Sequence, residues 1–384
     1  MSGFPRGKTA VVGTGLFGID SKPGYTAHEL MAKAALQAIA EAGLTPADID
    51  GVFGILPEEP FCAMTMPEYL GIQPKLVETT RTGGSAFELH AMWAAMALDA
   101  GLCDAVLICY ASNQRSASGK LTGSGAAPYP YEAPYKPRNP ANAYALAAAR
   151  HMHQYGTTRT DLAEVAVAAR QWAQLNPDAF SRDPLTIEDV LGARMVVDPL
   201  SVRDCCLVTD GAAAVVMARA DRARDLPGKP VYLLGTGSAT SHRAISMMPD
   251  LTVTCAAEAG ARAYAQAGVK PSEVDVVEVY DAFSINTILF LEDLGFCPKG
   301  EGGRFVQGGA IAPGGKLAVN TNGGGLSCVH PGMYGLFTMV EAIPQLRGTA
   351  NARQIADAKV ALAHGNGGTL SHQAVTIWGT AETL

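Results

Sequence analysis

The apolar positions of this chain fall into two patterns that occur twice, in the same order and at nearly constant offset. Thr9 to Val12 opens an apolar run ending in Gly13-Thr14-Gly15, and Val231 to Leu234 opens another ending in Gly235-Thr236-Gly237. Downstream, Ala38-Ile-Ala-Glu-Ala42-Gly43-Leu-Thr-Pro46-Ala-Asp-Ile-Asp50 recurs as Ala263-Tyr-Ala-Gln-Ala267-Gly268-Val-Lys-Pro271-Ser-Glu-Val-Asp275. Each copy predicts a helix with alanine on one face, a glycine stop, a proline-led turn, and a strand opening after the aspartate. A repeat at constant offset predicts two related halves, 1–225 and 226–384, joined by a pseudo-twofold. Alternating strands and helices in each half imply mixed sheets sandwiched by helices, an α/β fold.

The first half carries an insertion, about 113–200, of different character. Ala126 to Pro140 is rich in proline and tyrosine, stiff without regular structure. Residues 141–155 then read as an alanine-rich helix bearing His151 and His153, and 161–175 as an amphipathic one. A long structured insertion in a compact domain predicts a lid or binding loop. Gly13-Thr-Gly15-Leu-Phe-Gly18 matches a dinucleotide fingerprint in spacing. However, Ile19 to Gly24 separate it from the helix that starts near Thr26, and the duplicate at 235 lacks the third glycine, so a strand-end turn is the better reading.

Composition narrows the function. The 384 residues are 48% apolar and 17% charged, which predicts a large buried core and an oligomer that hides further surface. A net charge of −7 argues against duplex nucleic acid as a partner, while leaving room for a local basic patch that binds a nucleotide. No run reaches the ~20 apolar residues of a membrane span, and the first residues lack an apolar secretory core, so the expectation is a soluble cytoplasmic protein. The eight cysteines show no zinc spacing; buried thiols and no bound metal are expected.

Chemistry concentrates in three glycine-marked stretches. Asn320 to Phe337 holds Gly323, Gly324 and Gly325, then Cys328, His330-Pro331 and Tyr334; a His fixed by the following Pro is a well-placed acid, base or oxyanion donor. With a helix beginning near Gly332, the Tyr334 phenol would turn toward the same cavity. Cys328, two residues before His330, is a candidate displaced nucleophile. Gly83 and Gly84 precede a helix from Ser85 to Leu98, whose free N–H groups suit a carbonyl oxygen or anion, and Glu88 and His90 on that helix read as a subunit contact. Val277 to Ser284 reads as a strand running into a turn that presents Tyr280 and Asp281, and His364-Gly365-Asn366-Gly367-Gly368 reads as a loop for close backbone approach to substrate.

These motifs resemble the thiolase superfamily, in particular its sterol-carrier-protein-type branch, over nearly the whole chain. There a Gly-His-Pro loop supplies an active-site His; Val329 replaces the Gly here. The resemblance implies the thiolase fold, a duplicated αβαβα five-layer sandwich with an inserted loop domain that covers a CoA ester. It also implies a nucleophilic Cys at the start of the first-half helix, where this chain has Arg81 or, with a one-residue slip, Thr82. The second catalytic Cys position is Ala282, and Tyr280 takes the place of the His or Asn that polarises the oxyanion. With both cysteines gone, the site is similar to the thiolase-like aldolases of bacterial steroid side-chain degradation. The reaction implied is retro-aldol cleavage of a β-hydroxyacyl-CoA without an acyl-enzyme, catalysed by Tyr280, His330 and Tyr334. Arg81 and Asp281 would assist, and Gly83, Gly84, Gly323, Gly324, Gly367 and Gly368 would line the substrate. CoA enters only as part of the substrate, and no cofactor is implied. The same resemblance implies a homodimer flanked by a small partner with a zinc ribbon and an OB fold. An acyltransferase working through Cys328, and a non-catalytic scaffold or lipid carrier, stand as the alternatives.

Overall fold

The computed structural model describes residues 3–19, 24–119 and 129–384. The residues 20–23 that follow the glycine fingerprint, and the first part of the proline- and tyrosine-rich loop, lie outside them. The first half contributes β1 (Thr9–Phe17), helix α1 (Ala27–Glu41), β2 (Gly51–Ile55), β3 (Leu76–Glu78), α2 (Ala86–Asp99), β4 (Ala105–Ser112) and, after the insertion, β5 (Gly211–Arg219). The insertion contributes α3 (Ala141–Tyr155) and α4 (Arg159–Gln174). The second half contributes β6 (Val231–Thr240), α5 (Ala256–Ala267), β7 (Val276–Glu278), α6 (Ser284–Asp293), β8 (Ala318–Val319), α7 (Gly335–Arg347), β9 (Val360–Gly367) and β10 (His372–Gly379).

The ten strands form one sheet in the order β8-β7-β9-β10-β6-β1-β5-β4-β2-β3. Its centre is the antiparallel contact of β1 with β6, Ala10 opposite Tyr232 and Val11 opposite Val231. Outward from that contact both sides read alike. β1 pairs β5 and β5 pairs β4 antiparallel, then β4–β2 and β2–β3 are parallel. On the other side β6–β10 and β10–β9 are antiparallel, and β9–β7 and β7–β8 parallel. The pseudo-twofold expected from the repeat is therefore written into the sheet.

Local chemistry explains the paired elements. A capping box starts α1: the Glu29 N–H donates to the Thr26 hydroxyl at 3.2 Å and the Thr26 N–H to the Glu29 carboxylate at 2.8 Å. Both outer helices present small side chains to their sheet, Ala34, Ala35 and Ala38 in α1 and Ala256, Ala259 and Ala263 in α5. The strands answer with glycine. A Cβ at Gly13 or Gly15 would overlap the Ala38 and Ala34 carbonyls, and one at Gly235 or Gly237 the Ala263 and Ala259 carbonyls. The Gly-Thr-Gly motifs are thus the seats of close helix–strand packing. The expected strand-end turn is corrected too, because β1 runs through the motif to Phe17 and β6 through its own to Thr240.

Between the outer helices lie α2 and α7, each in contact with strands of both halves. This gives the layering α1, strands, α2 with α7, strands, α5. The insertion packs on the second half: α4 lies on the 324–328 turn and on α6, and α3 lies on α6. Its anchor is buried and polar, with His151 Nδ1 2.8 Å from the Thr157 hydroxyl and Nε2 3.1 Å from the Glu292 carboxylate. Lys299 meets the same carboxylate at 3.0 Å. No helix among the described residues is long and apolar enough to cross a membrane.

Candidate active site

β7 ends at Glu278, sooner than the sequence suggests, and α6 begins at Ser284, so Tyr280 and Asp281 stand in the gap between them. Asn320, held at φ +53°, fixes this gap: its side-chain oxygen accepts the Val279 N–H at 2.7 Å. From there the Tyr280 ring reaches the start of α2, where a Cβ on Gly84 would overlap the phenol. Only glycine admits this approach.

His330 comes to the same point from the opposite loop. Its N–H donates to the Thr209 hydroxyl at 3.0 Å and its carbonyl accepts from Gln114 Nε2 at 2.8 Å. The Tyr110 hydroxyl donates to the Pro331 carbonyl and accepts the Met333 N–H at 3.1 Å. The outcome is a contact of 3.1 Å between Tyr280 Oη and His330 Nε2. The Tyr334 N–H donates to the same Oη at 3.1 Å. That bond uses one Oη lone pair, and when the phenol donates to Nε2 the imidazole carries its own proton on Nδ1. Nδ1 has no partner.

Both groups are buried, with Tyr280 and His330 each 4% exposed. Burial lowers the imidazole to about 4 and pushes the phenol well above 10. At neutral pH the pair is therefore a neutral phenol hydrogen-bonded to a neutral imidazole. Such a pair takes a proton from a third group without forming a free phenolate: Oη receives one proton as it passes its own to Nε2.

Asp281 acts on the loop that carries His330. Its carboxylate accepts the Gly325 N–H at 2.6 Å and the Leu326 N–H at 3.3 Å, and burial raises it to about 7. Gly324, at φ +65°, lies where a Cβ would overlap that carboxylate, while Gly323 packs on Ala173 of α4. Gly83, Gly367 and Gly368 pack together, next to Gly84. The glycine pairs at 83–84 and 367–368 therefore share one wall beside the Tyr280 phenol, and Gly323 and Gly324 shape the loop behind it.

Three other candidates lie differently from their sequence expectation. Helix α7 begins at Gly335 with Tyr334 as its N-cap, so the helix expected from Gly332 starts later. The Tyr334 ring lies 5.6 Å from Tyr280 and 6.4 Å from His330, centroid to centroid, but its hydroxyl donates to Asn322 Oδ1 at 3.0 Å. Cys328 sits in a five-residue turn, Gly324–Cys328, that points its sulfur away from His330 to Asn176 Nδ2 at 3.5 Å. Burial holds its thiol well above 9, opposite to what a nucleophile needs. The exposed Arg81 donates to the Pro57 carbonyl at 2.8 Å, and its charge reaches Tyr110. Burial, and not Arg81, sets the state of the Tyr280 phenol. Glu88 and His90, expected at a subunit contact, are buried within this chain, with Glu88 accepting from the Thr338 hydroxyl at 3.2 Å.

Sequence reasoning missed the residues that orient the site. Asn320 and Asn322 flank Thr321 just before the glycine run, and an Asn-Thr-Asn beside three glycines is a legible signal for a side-chain-braced turn. Tyr144 and Gln373 carry no local signal of this kind.

Five layers, a duplicated sheet and the His330 loop between α6 and α7 define a thiolase-fold protein, and sequence comparison agrees. Residues 237–380 match the family model described as "Thiolase C-terminal domain-like". The chain is 35% identical over 365 residues to the 17-hydroxy-3-oxo-4-pregnene-20-carboxyl-CoA lyase of Mycobacterium tuberculosis, covering 90% of this chain and 92% of that one. It is 35% identical over 377 residues to the steroid side-chain-cleaving aldolase of Thermomonospora curvata, covering 91% and 93%. An acetyl-CoA acetyltransferase of Methanothermobacter thermautotrophicus is 34% identical over 366 residues, covering 91% and 94%. The solved Ltp2-ChsH2(DUF35) aldolase superposes with a TM-score of 0.89 at 32% identity, covering 98% of each chain. The chain belongs to the thiolase superfamily, in the branch that holds steroid side-chain-cleaving aldolases beside sterol-carrier-type thiolases.

Proposed function

We propose that this protein cleaves the Cα–Cβ bond of a β-hydroxyacyl-CoA by a retro-aldol reaction without an acyl-enzyme. The observation that carries the reading is the Tyr280–His330 pair: buried, neutral and hydrogen-bonded at 3.1 Å. In the proposed step the β-hydroxyl proton passes to Tyr280 Oη while the Tyr280 proton passes to His330 Nε2. The Cβ oxygen becomes a carbonyl, and the Cα–Cβ electrons move into the thioester enolate. The enolate then takes a proton at Cα through Tyr280 from the His330 imidazolium, which restores the neutral pair, while the Tyr334 N–H holds the Tyr280 oxygen in place. Asp281 holds the loop in place, and the paired glycines at 83–84 and 367–368 admit the ester. CoA stays on the product thioester throughout.

The names of the lyase and aldolase relatives support this reading, and the acetyltransferase relative supports the alternative of a β-ketoacyl-CoA thiolase. The thiol of Cys328, turned to Asn176, weighs against that alternative. The name of the Ltp2-ChsH2(DUF35) structure supports a partner subunit, which we propose is a small zinc-ribbon and OB-fold protein flanking a homodimer of this chain. The deciding experiment incubates the protein, with and without such a partner, with β-hydroxyacyl- and β-ketoacyl-CoA esters, each with and without free CoA. Cleavage of the hydroxy ester without free CoA is the expected result; cleavage of only the keto ester, and only with free CoA, would refute the aldolase.

A further inference from the structure

Besides Tyr110, whose proton goes to the Pro331 carbonyl, three phenols are buried around the candidate site, and their protons are not equivalent. Tyr280 shares a hydrogen bond with His330 at 3.1 Å, and Tyr334 gives its proton to Asn322 at 3.0 Å. The third, Tyr144, comes from helix α3 of the insertion. It is 2% exposed, and its ring stacks on Phe283 at 4.4 Å with an interplanar angle of 25°.

A one-way chain of hydrogen bonds fixes the direction of the Tyr144 hydroxyl. The Tyr280 N–H approaches His364 Nδ1 at 3.5 Å, so Nδ1 is the acceptor and Nε2 carries the ring proton. Nε2 then donates to Gln373 Oε1 at 2.8 Å, which turns Gln373 Nε2 toward Asn366 Oδ1, also at 2.8 Å. That leaves Asn366 Nδ2 to donate to Tyr144 Oη at 2.8 Å. His364 and Gln373 are 0% exposed and Asn366 is 2% exposed, so no link is free to flip at low cost. Because Oη accepts from Asn366, the Tyr144 proton must point elsewhere. The acceptor for that proton is the Gly368 carbonyl at a long 3.4 Å, and the Asn286 side chain and the Leu370 backbone also act on the hydroxyl. A buried O–H with so long a bond to its acceptor, beside the glycine wall, is a donor in wait for a better acceptor.

We propose that Tyr144 is a catalytic residue that donates a hydrogen bond to the thioester oxygen as the enolate forms. This rests on the aldolase reading above and adds to it: the inserted loop completes the oxyanion site, and the His364–Gln373–Asn366 chain is the positioning device. No proton is transferred; the O–H of Tyr144 exchanges the Gly368 carbonyl for the enolate oxygen, and the ring stays on Phe283. The phenol suits the task because burial raises it to about 12, so it remains a donor at any working pH.

The test is Tyr144→Phe, which keeps the stacked ring and removes the hydroxyl. Loss of one oxyanion donor predicts a fall in kcat of about 100-fold with KM changed by less than about threefold. Affinity for a CoA nitronate, a mimic of the thioester enolate, should fall in parallel while affinity for the unreactive saturated acyl-CoA holds. A kcat and a nitronate affinity both within about threefold of the parent protein would overturn the proposal. If Tyr144→Phe misfolds, 3-fluorotyrosine at position 144 keeps ring and hydroxyl but strengthens the donor; tighter nitronate binding is then expected, and unchanged binding overturns the proposal. The aldolase reading fails separately, when the parent protein leaves every β-hydroxy ester intact, and the nitronate measurement still decides the role of Tyr144 in that case.

Discussion

The two halves of this molecule share one packing solution and diverge wherever they touch chemistry. At the β1–α1 and β6–α5 contacts, four glycines face four alanine carbonyls in matching places, although the residues around them differ. At the helix starts between the sheets the copies no longer match. α2 opens behind Gly83, Gly84 and Ser85, whereas α7 opens behind Tyr334, whose N–H meets the Tyr280 phenol. Close packing of backbone on backbone tolerates one residue type, so it preserves the duplication. A site needs only one set of reacting groups, so it breaks it.

The comparison fails first if the site groups prove to be packing. Tyr280→Phe removes the hydroxyl that links substrate to His330 and should lower kcat by about 10³-fold, with the fold retained by circular dichroism. Gly84→Ala comes next. Its methyl must displace the Tyr280 ring, so activity should drop by about 10²-fold or more while the melting temperature changes far less than for a scaffold glycine. The scaffold side is probed with Gly13→Ala and Gly235→Ala, which force α1 and α5 off their strands. Each should destabilise by about 1–3 kcal/mol and by similar amounts, with kcat per folded molecule unchanged. Unequal losses would show that the halves are not mechanically alike.

A smaller effect reads the buried carboxyl beneath the site. Burial raises Glu88 to about 8, against an ordinary value near 4.5. The folded state thus keeps a proton that the unfolded state releases above pH 4.5, and stability from this group falls as pH rises from about 4.5 to 8. Glu88→Gln should melt higher than the parent protein at pH 8, and the gap should shrink toward pH 4.5 in thermal scans. Smallest of all, Cys328→Ala should leave kcat within about threefold, because its thiol neither faces His330 nor ionises.

How far the sequence reached follows the same division. The repeat was legible because small residues must recur where backbones meet, and the strand openings after Asp50 and Asp275 fall at Gly51 and Val276. Tyr280 and His330 were legible because each stands beside a turn signal. The direction of side chains within a turn was not: Cys328 and His330 share a face in an extended chain but separate once Gly324–Cys328 coils. Nor was the reach of Arg81, which depends on where Pro57 lies in the fold. The His364–Gln373–Asn366–Tyr144 chain joins residues more than 200 positions apart and leaves no local pattern.

The most direct test of the central claim is a single turnover of a β-hydroxyacyl-CoA in D₂O without free CoA, quenched and read by mass for both product and protein. A relay through Tyr280 and His330 predicts one deuterium at Cα of the product thioester and an unmodified protein throughout. An acyl adduct on any of the eight cysteines would contradict it and return the chain to thiolase chemistry.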